Sequence, residues 1–283
     1  MYIGLSADLG VHSVATGYKA CSMGCASRFL LDIPDERLWI CGARFSAESR
    51  TNNLPEQKHR RGGSITRCAH DSGSMTMSRD LYIYGMGGHA KVVAATARLC
   101  GWRIGGFFAD NIPGGGAEFF GSPVVAFDSI PDGASVFIAF GDNEVRYRKG
   151  RLFRERFSMP AIIHPTAVIA TSAEIGCGTY VGAMANVDPD CRIGDFCIIN
   201  KLTNISHDSV IGDGTHCSVG SLIAGNVTVG ERCCIGIGSR IIEKIRVGDD
   251  AVIGGGAVVI RDTPDAVTAV GCPARIIRTR DGK

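Results

Sequence analysis

The sequence has little that would direct it to a membrane or to nucleic acid. It contains no apolar run near the roughly 18 residues that a membrane-spanning helix needs. Its N-terminus lacks the basic start and apolar core of a secretory signal. The 30 Lys and Arg residues nearly balance the 28 Asp and Glu residues, for a net charge of +2. We therefore expect a cytoplasmic protein whose partner is neither a membrane nor a nucleic acid.

Helical and alternating periodicities are also missing from the C-terminal half. From Ile169 to Val259 an aliphatic residue instead returns every six positions, and only Cys217 departs from this pattern. The position after it is often Gly, which we expect to accept backbone angles that other residues resist where the chain turns. The fifth position is mostly small. Such a period is typical of a β-solenoid in which each hexad forms one short face. It predicts a parallel β-helix of about five eighteen-residue coils within residues 165–283, with the C-terminal tail covering one end.

Residues 80–157 alternate strand-like and helix-like segments, which predicts a small Rossmann-like βαβ domain covering the other end of the column. A glycine-rich turn, GMGGHA, lies between the strand LYIY and a helix, where backbone N–H groups can hold a phosphate. Asp110 follows the second strand, in the place of a ribose-reading acid. The region is too short for two mononucleotide halves, so one nucleoside diphosphate group is the better fit. A tight turn without a ligand is the alternative.

Residues 1–79 show no sustained periodicity, and we expect an extension that is poorly ordered. Cys21 and Cys25 form a C-x3-C pair, but the paired ligand spacing of a zinc site is missing. The pattern changes abruptly at Leu81, which suggests that the functional chain begins near Met75 or Met77 and that the upstream part is dispensable. Cys191, Cys197 and Cys233 fall on the small-residue position of the hexads, and we expect them to be small buried groups that remain thiols.

Two histidines lie in the repeat region, and one of them is a candidate general base. His207 is followed by Asp208, which can orient the imidazole, and a neutral imidazole can take a proton from an attacking nucleophile. Gly225 is one eighteen-residue coil further on, so its amide can stabilise an oxyanion beside His207. A solvent-exposed corner histidine is the alternative. His216 is only the second histidine in the column, so a three-histidine zinc site is not expected.

Several motifs together resemble a known family. The chain resembles the bacterial sugar acyltransferases that join a small nucleotide-sugar-binding domain to a left-handed β-helix, which include UDP-4-amino-sugar and GDP-perosamine N-acetyltransferases and sialic acid O-acetyltransferases. The resemblance covers residues 80–278. The matching stretches are YIYGMGGHAKVV, FIAFGDNEVR, IIHPTAVIA, NISHDSVIGDGTHCSVGSLIAGNVTVG and VGCPARII.

The resemblance implies roles for particular residues. His207 is the general base, Asp208 raises its basicity, and Gly225 is the backbone donor at the thioester. The implied acetyl-CoA contacts are His216, Ile237 and Gly255. The implied nucleotide-sugar contacts are Gly87, Gly88, His89, Asp110, Asn111 and Gly141. The family is homotrimeric, with the active site between neighbouring columns, and no metal is implied.

The combined expectation is an acetyl-CoA-dependent N-acetyltransferase acting on the amino group of a nucleotide-linked sugar of the UDP-4-amino-sugar type, for surface glycan or glycoprotein biosynthesis. O-acetylation of a sialic acid or related sugar is an alternative, because both reactions need a base beside a thioester. A non-catalytic trimeric scaffold is an alternative of another class.

Overall fold

The structure, a computed structural model, describes residues 79–110 and 116–279. The predictions for the N-terminal extension up to residue 78 and for Asn111 lie outside the described residues. The strands of the first domain are β1 (Asp80–Tyr84), β2 (Arg103–Phe108), β3 (Glu118–Phe119), β4 (Ser122–Pro123) and β5 (Ser135–Ile138). Its helices are α1 (Gly88–Leu99), a 3-10 turn (Phe127–Ser129) and α2 (Asn143–Phe153).

The first domain is built on a three-stranded parallel sheet in the order β2-β1-β5. Helix α1 connects β1 to β2, and α2 follows β5, so the chain alternates strand and helix as predicted. All three strands end at the same edge of the sheet because they are parallel. Ligands of open α/β sheets bind at this edge, where neighbouring strands connect in opposite directions.

The repeat region forms a three-sided column of two-residue strands. The first face contains β6 (Ile162–Ile163), β9 (Tyr180–Val181), β12 (Ile198–Ile199), β15 (His216–Cys217), β18 (Cys234–Ile235) and β21 (Val252–Ile253). The second face contains β7 (Val168–Ile169), β10 (Asn186–Val187), β13 (Asn204–Ile205), β16 (Leu222–Ile223), β19 (Arg240–Ile241) and β22 (Val258–Val259). The third face contains β8 (Glu174–Ile175), β11 (Arg192–Ile193), β14 (Val210–Ile211), β17 (Thr228–Val229) and β20 (Arg246–Val247).

The predicted register of eighteen residues per coil is confirmed. Ile205 pairs with Ile223, and Cys217 pairs with Ile235, one coil apart on parallel strands. The aliphatic column faces inward, and Cys217 is as fully buried as its neighbours. The tail adds β23 (Val267–Val270), parallel to β21, and then β24 (Arg275–Thr279), antiparallel to β23.

Glycine at the second position of the hexads has a different reason from the one expected. We expected it to supply unusual turn angles, but the positive φ angles fall two residues later, for example at Asp208 with φ 59°. Gly212 instead lies so close to the next coil that an added Cβ would be 2.5 Å from the carbonyl carbon of Gly230. The close stacking of coils therefore excludes a side chain at this position.

The small residues of the hexads join successive coils by hydrogen bonds. The Thr215 hydroxyl donates to the carbonyl of Gly230 (2.8 Å) and accepts from the amide of Cys233 (2.9 Å). The Cys197 thiol donates to the carbonyl of Gly212 (3.2 Å). These cysteines are thus buried, as predicted, but they serve as hydrogen-bond donors as well as small apolar groups.

The first domain packs against the first face of the column, which corrects the expectation that it covers an end. Outward-facing Ile162, Tyr180 and Ile198 are buried in one apolar cluster with residues of α1. The Tyr180 hydroxyl also lies 3.1 Å from the Thr96 hydroxyl of α1. The reason is that these three outward positions are large and apolar, so packing against α1 removes their surface from water.

A carboxylate at a corner of the column provides a stability prediction. Asp213 accepts the amide of Asp195 (2.8 Å), and burial, together with the charges of Asp195 and Glu231, raises its pKa. A raised pKa in the folded state means that folding disfavours the charged form, so this cost is present at neutral pH and disappears as the pH falls. Asp213→Asn keeps the accepting oxygen and removes the charge. We expect its melting temperature at pH 7 to rise by about 2 °C, and the gain to shrink as the pH approaches 3.8.

Candidate active site

The glycine-rich turn and the loop after β5 lie side by side at the carboxyl edge of the sheet. Gly85 has φ 118°, and an added Cβ would be 3.0 Å from the carbonyl oxygen of Ala139. Nothing lies within 4 Å of the Cβ positions of Gly87, Gly88 and Gly141, so these glycines border open space. This edge can therefore bring backbone amides close to a bound group, as predicted for a phosphate.

Asp110 lies at the same edge, after β2, and is held by two side chains. It accepts from the Tyr84 hydroxyl (2.5 Å) and from Nζ of Lys149 (3.2 Å). The Tyr84 hydrogen bond and then the Lys149 ammonium lower the pKa of Asp110, so the carboxyl stays ionised. An ionised, exposed carboxylate here can accept ribose hydroxyls.

Two half-buried histidines lie where this edge meets the first face of the column. Burial and then the positive charge of Arg146 lower the pKa of His89 to about 3 and that of His216 to about 4, so both rings are neutral at physiological pH. Nε2 of His216 is 3.2 Å from Nδ2 of Asn200, which places the ring proton on Nδ1 when the amide donates. Nε2 of His89 is buried without a hydrogen-bond partner among the described residues. A buried orphan nitrogen of this kind is suited to a ligand hydroxyl or amide.

His207, Asp208 and Gly225 come together at the corner between the second and third faces, residues 206–209 and 224–227, which we call the His207 corner. Nδ1 of His207 is 2.8 Å from Oδ2 of Asp208. This contact fixes the ring tautomer and leaves Nε2 to accept a proton. An added Cβ at Gly225 would be 2.7 Å from both Cε1 and Nε2 of His207. The predicted stacking of Gly225 on His207 is therefore confirmed, and 59% of the His207 side chain remains exposed.

The amide of Gly225 is free for a ligand. At the corner between the third and first faces, the amides of Asp195 and Glu231, which have the same position in their hexads, donate to Asp213 (2.8 Å) and Asp249 (2.9 Å) one coil further on. Among the described residues, none accepts from the Gly225 amide. The amides of Asp195 and Glu231 thus donate to a side-chain oxygen outside the column. At Gly225 the oxyanion of a reaction intermediate can occupy the corresponding place.

Ile237 and Gly255 meet at the corner between the first and second faces. An added Cβ at Gly255 would be 3.1 Å from Cγ2 of Ile237, so the two residues, eighteen apart in the sequence, stack on adjacent coils. The Ile237 side chain is 63% exposed. An exposed aliphatic side chain over a bare backbone offers a surface along the column for an elongated ligand.

The His207 corner and the nucleotide-sugar edge do not meet within one chain. The His207 corner is opposite the first face, which carries His216 and the edge with His89. Six residues at about 3.3 Å each make a side of about 20 Å, so the corner lies about 17 Å from the opposite face, more than these side chains can reach. Each group is assembled locally, but one chain leaves the base apart from the glycine-rich turn.

Sequence reasoning missed several residues of the site. Asn200, Tyr180 and Lys149 contact His216, His89 and Asp110 respectively. Asn143 and Arg146 join α2 to the column. For Asn143 and Arg146, the spacing of three residues in FIAFGDNEVR was the signal available, because it places both side chains on one side of the first turn of a helix.

No group of three or more His, Cys, Asp or Glu side chains in residues 79–110 and 116–279 is arranged to hold a metal ion. Over the same residues, no helix has the length and apolar character needed to cross a membrane.

Comparisons with known proteins agree with this architecture. Residues 80–150 match the family described as the PglD N-terminal domain. The structure of PerB from Caulobacter crescentus in complex with CoA and GDP-perosamine is 35% identical, with a TM-score of 0.65, and the match covers 73% of this chain and 100% of PerB. The acetyltransferase domain of PglB from Neisseria gonorrhoeae, in complex with acetyl coenzyme A, is 32% identical, with a TM-score of 0.66 and coverage of 71% and 100%.

A viral protein also matches in part. The uncharacterized protein L142 of Acanthamoeba polyphaga mimivirus is 33% identical over 129 residues. These residues are 43% of this chain and only 25% of the viral protein, so the shared part is a fraction of that longer chain.

Proposed function

The chain belongs to the family of sugar acetyltransferases that join a PglD-type N-terminal domain to a left-handed β-helix, and on that premise we propose that it acetylates the amino group of a nucleotide-linked sugar. As in that family, the acyl donor is acetyl-CoA. The observation that carries the proposal is the His207–Asp208 pair stacked against the free amide of Gly225. A base next to a vacant backbone donor is what attack on a thioester needs.

The reaction follows from the geometry of the His207 corner. The sugar amine attacks the thioester carbonyl, and Nε2 of His207 takes the proton that the nitrogen loses as the C–N bond forms. The amide of Gly225 donates to the oxyanion of the tetrahedral intermediate. Collapse of the intermediate breaks the C–S bond, and the proton on His207 passes to the departing sulfur, so CoA leaves as the thiol. The side chain of Ile237 and the backbone of Gly255 contact acetyl-CoA where it lies along the column.

The nucleotide-sugar is held by the first domain in this proposal. Gly87 and Gly88 bring amides and the N-terminus of α1 to the diphosphate, and Gly141 approaches it from the loop after β5. Asp110 accepts ribose hydroxyls, and the orphan Nε2 of His89 accepts a hydrogen bond from the sugar. The UDP-4-amino-sugar type is the substrate that we propose, for biosynthesis of surface glycans.

We further propose a homotrimer in which each active site lies between two columns. In one chain the base is about 17 Å from the face that lies beside the sugar-nucleotide edge. A neighbouring copy that places its nucleotide-sugar edge beside the exposed His207 corner would complete the site. Closed rotational symmetry then gives three equal sites.

A panel of acceptors tests the substrate class. The whole protein is incubated with acetyl-CoA and, separately, with UDP-, GDP- and dTDP-linked 4-amino sugars, their 4-hydroxy counterparts, and a free sialic acid. We expect amide product, identified by mass spectrometry, from an amino sugar nucleotide and not from its 4-hydroxy counterpart. Faster transfer to the sialic acid would favour O-acetylation. No product from any acceptor, together with no CoA binding by calorimetry, would favour the scaffold.

A further inference from the structure

The loop that follows β5 is attached to the column by two side chains at the start of α2. Helix α2 packs on the corner between the third and first faces, residues 194–197, 212–215 and 230–233, which we call the Gly214 corner. The approach is close: an added Cβ at Gly150 of α2 would be 2.5 Å from the ring of Phe196. Phe196, Gly214 and Arg232 are each eighteen residues apart, so they occupy the same place on three successive coils.

The carbonyl oxygens of these three residues are the partners of α2. Arg146 donates from Nε to Phe196 (2.7 Å) and from Nη2 to Gly214 (2.6 Å). Asn143 donates from Nδ2 to Arg232 (3.1 Å) and to the adjacent Cys233 (2.8 Å). The two side chains are joined, because Nη2 of Arg146 also donates to Oδ1 of Asn143 (2.9 Å). The pair therefore fixes α2 at one height along the column.

Arg146 simultaneously holds the loop that carries Gly141. Its Nη1 donates to the carbonyls of Phe140 (3.0 Å), Gly141 (3.3 Å) and Asp142 (3.4 Å). The side chain is completely buried, and none of its hydrogen-bond partners is a carboxylate. Burying a cation is costly, and here neutral carbonyl and amide oxygens, with the charge of Asp142 but no direct ion pair, offset the cost. Such an arrangement is a poor way to add stability, which points to a role in positioning.

We propose that Asn143 and Arg146 are positioning residues that set the place of the nucleotide-sugar loop relative to the coils that carry His216. This inference rests on the proposed function. The coils keep their own connections, such as the Gly214 amide to the Asp195 carbonyl (2.8 Å), whether or not Arg146 is present. Within residues 79–110 and 116–279, the loop of residues 139–142 has no other hydrogen-bonded link to the column. Loosening the pair should therefore displace Gly141 and leave the corner of Ile237 and Gly255 unchanged.

The test compares Arg146→Lys and Asn143→Ala with the control Arg154→Gln. Arg154 also joins α2 to the column, through Asp195 (2.9 Å), but it does not contact the loop. In both test variants we expect the KM for the amino sugar nucleotide to rise about tenfold, as expected when hydrogen bonds of a buried charged group are lost. The KM for acetyl-CoA should change less than about twofold, and Arg154→Gln should keep both values.

Equal increases in both KM values, the same split in Arg154→Gln, or unchanged kinetics in the test variants would overturn the inference. If Arg146→Lys does not fold, as judged by circular dichroism, Asn143→Ala decides by the same criterion. If the wild type acetylates no amino sugar nucleotide, the proposed function fails, and calorimetric binding of UDP, GDP or dTDP against CoA then decides the role of the pair. Weaker nucleotide binding with unchanged CoA binding supports it, and equal binding overturns it.

Discussion

Replacing His207 by Ala should lower kcat by about 1,000-fold, because a positioned general base contributes roughly 10²–10⁴ to such a reaction. Nε2 of His207 is the atom left free by the Asp208 contact, and it faces the Gly225 backbone where the thioester carbonyl must lie. The effect should fall on kcat and leave the KM for acetyl-CoA nearly unchanged, because the base acts on the amine. Steady-state kinetics with the amino sugar nucleotide measures both.

The control for this prediction is the fold itself. The His207 side chain is 59% exposed, so its removal creates no cavity in the core. The melting temperature should therefore stay within about 2 °C of the wild type, as for most surface substitutions. A variant that stays folded and retains its kcat would refute His207 as the base.

Gly225→Ala should cause a loss of comparable size, about 100-fold or more, through displacement of the base and its oxyanion donor. An added Cβ would be 2.7 Å from Nε2 and Cε1 of His207, which is too close for atoms that are not bonded, so the ring must move away. The backbone itself tolerates a side chain, since Ala183 and Lys201 have the same hexad position at another corner. The effect should therefore be on kcat and not on folding.

The double variant separates the two causes. In a His207→Ala background the ring is absent, so Gly225→Ala should cost much less than it does in the wild type, because only perturbation of the amide remains. A double variant whose loss in activation free energy equals the sum of the two single losses would contradict the account of Gly225 as a close neighbour of the base.

The repeat made much of the column predictable from the sequence. A constant period of six with no insertion defines the coils, and eighteen residues place Gly225 on His207 and Gly255 on Ile237. The same arithmetic predicts that His207 and His216 lie on opposite sides of the column, because they are nine residues, or half a coil, apart. The reason for Gly at the second position was not predictable in the same way, since close contact between coils is a property of the stack and not of one hexad.

The attachment of the first domain could not be predicted from periodicity. Outward-facing Tyr180 and Ile198 lie one coil apart, but outward positions on the other faces, such as Val210 and Leu222, are apolar too, and only the packed structure shows that α1 covers the first pair. Arg146 has the sequence context of a solvated residue in a basic helix, yet it is completely buried and donates no hydrogen bond to a carboxylate. Its partners are mainly backbone carbonyls, which every residue has, so the sequence does not indicate them.

The measurement that tests the central claim most directly is activity from mixed subunits. One chain carries His207→Ala, and the other carries Gly88→Asp, whose carboxylate would repel a diphosphate without a steric clash. The two chains are co-expressed with different tags and purified through both. Each parent should be nearly inactive, whereas every mixed trimer should contain one intact site between unlike chains, so about one third of the wild-type activity should return. Mixed assemblies as inactive as their parents would show that the base and the sugar-nucleotide edge do not act across two copies.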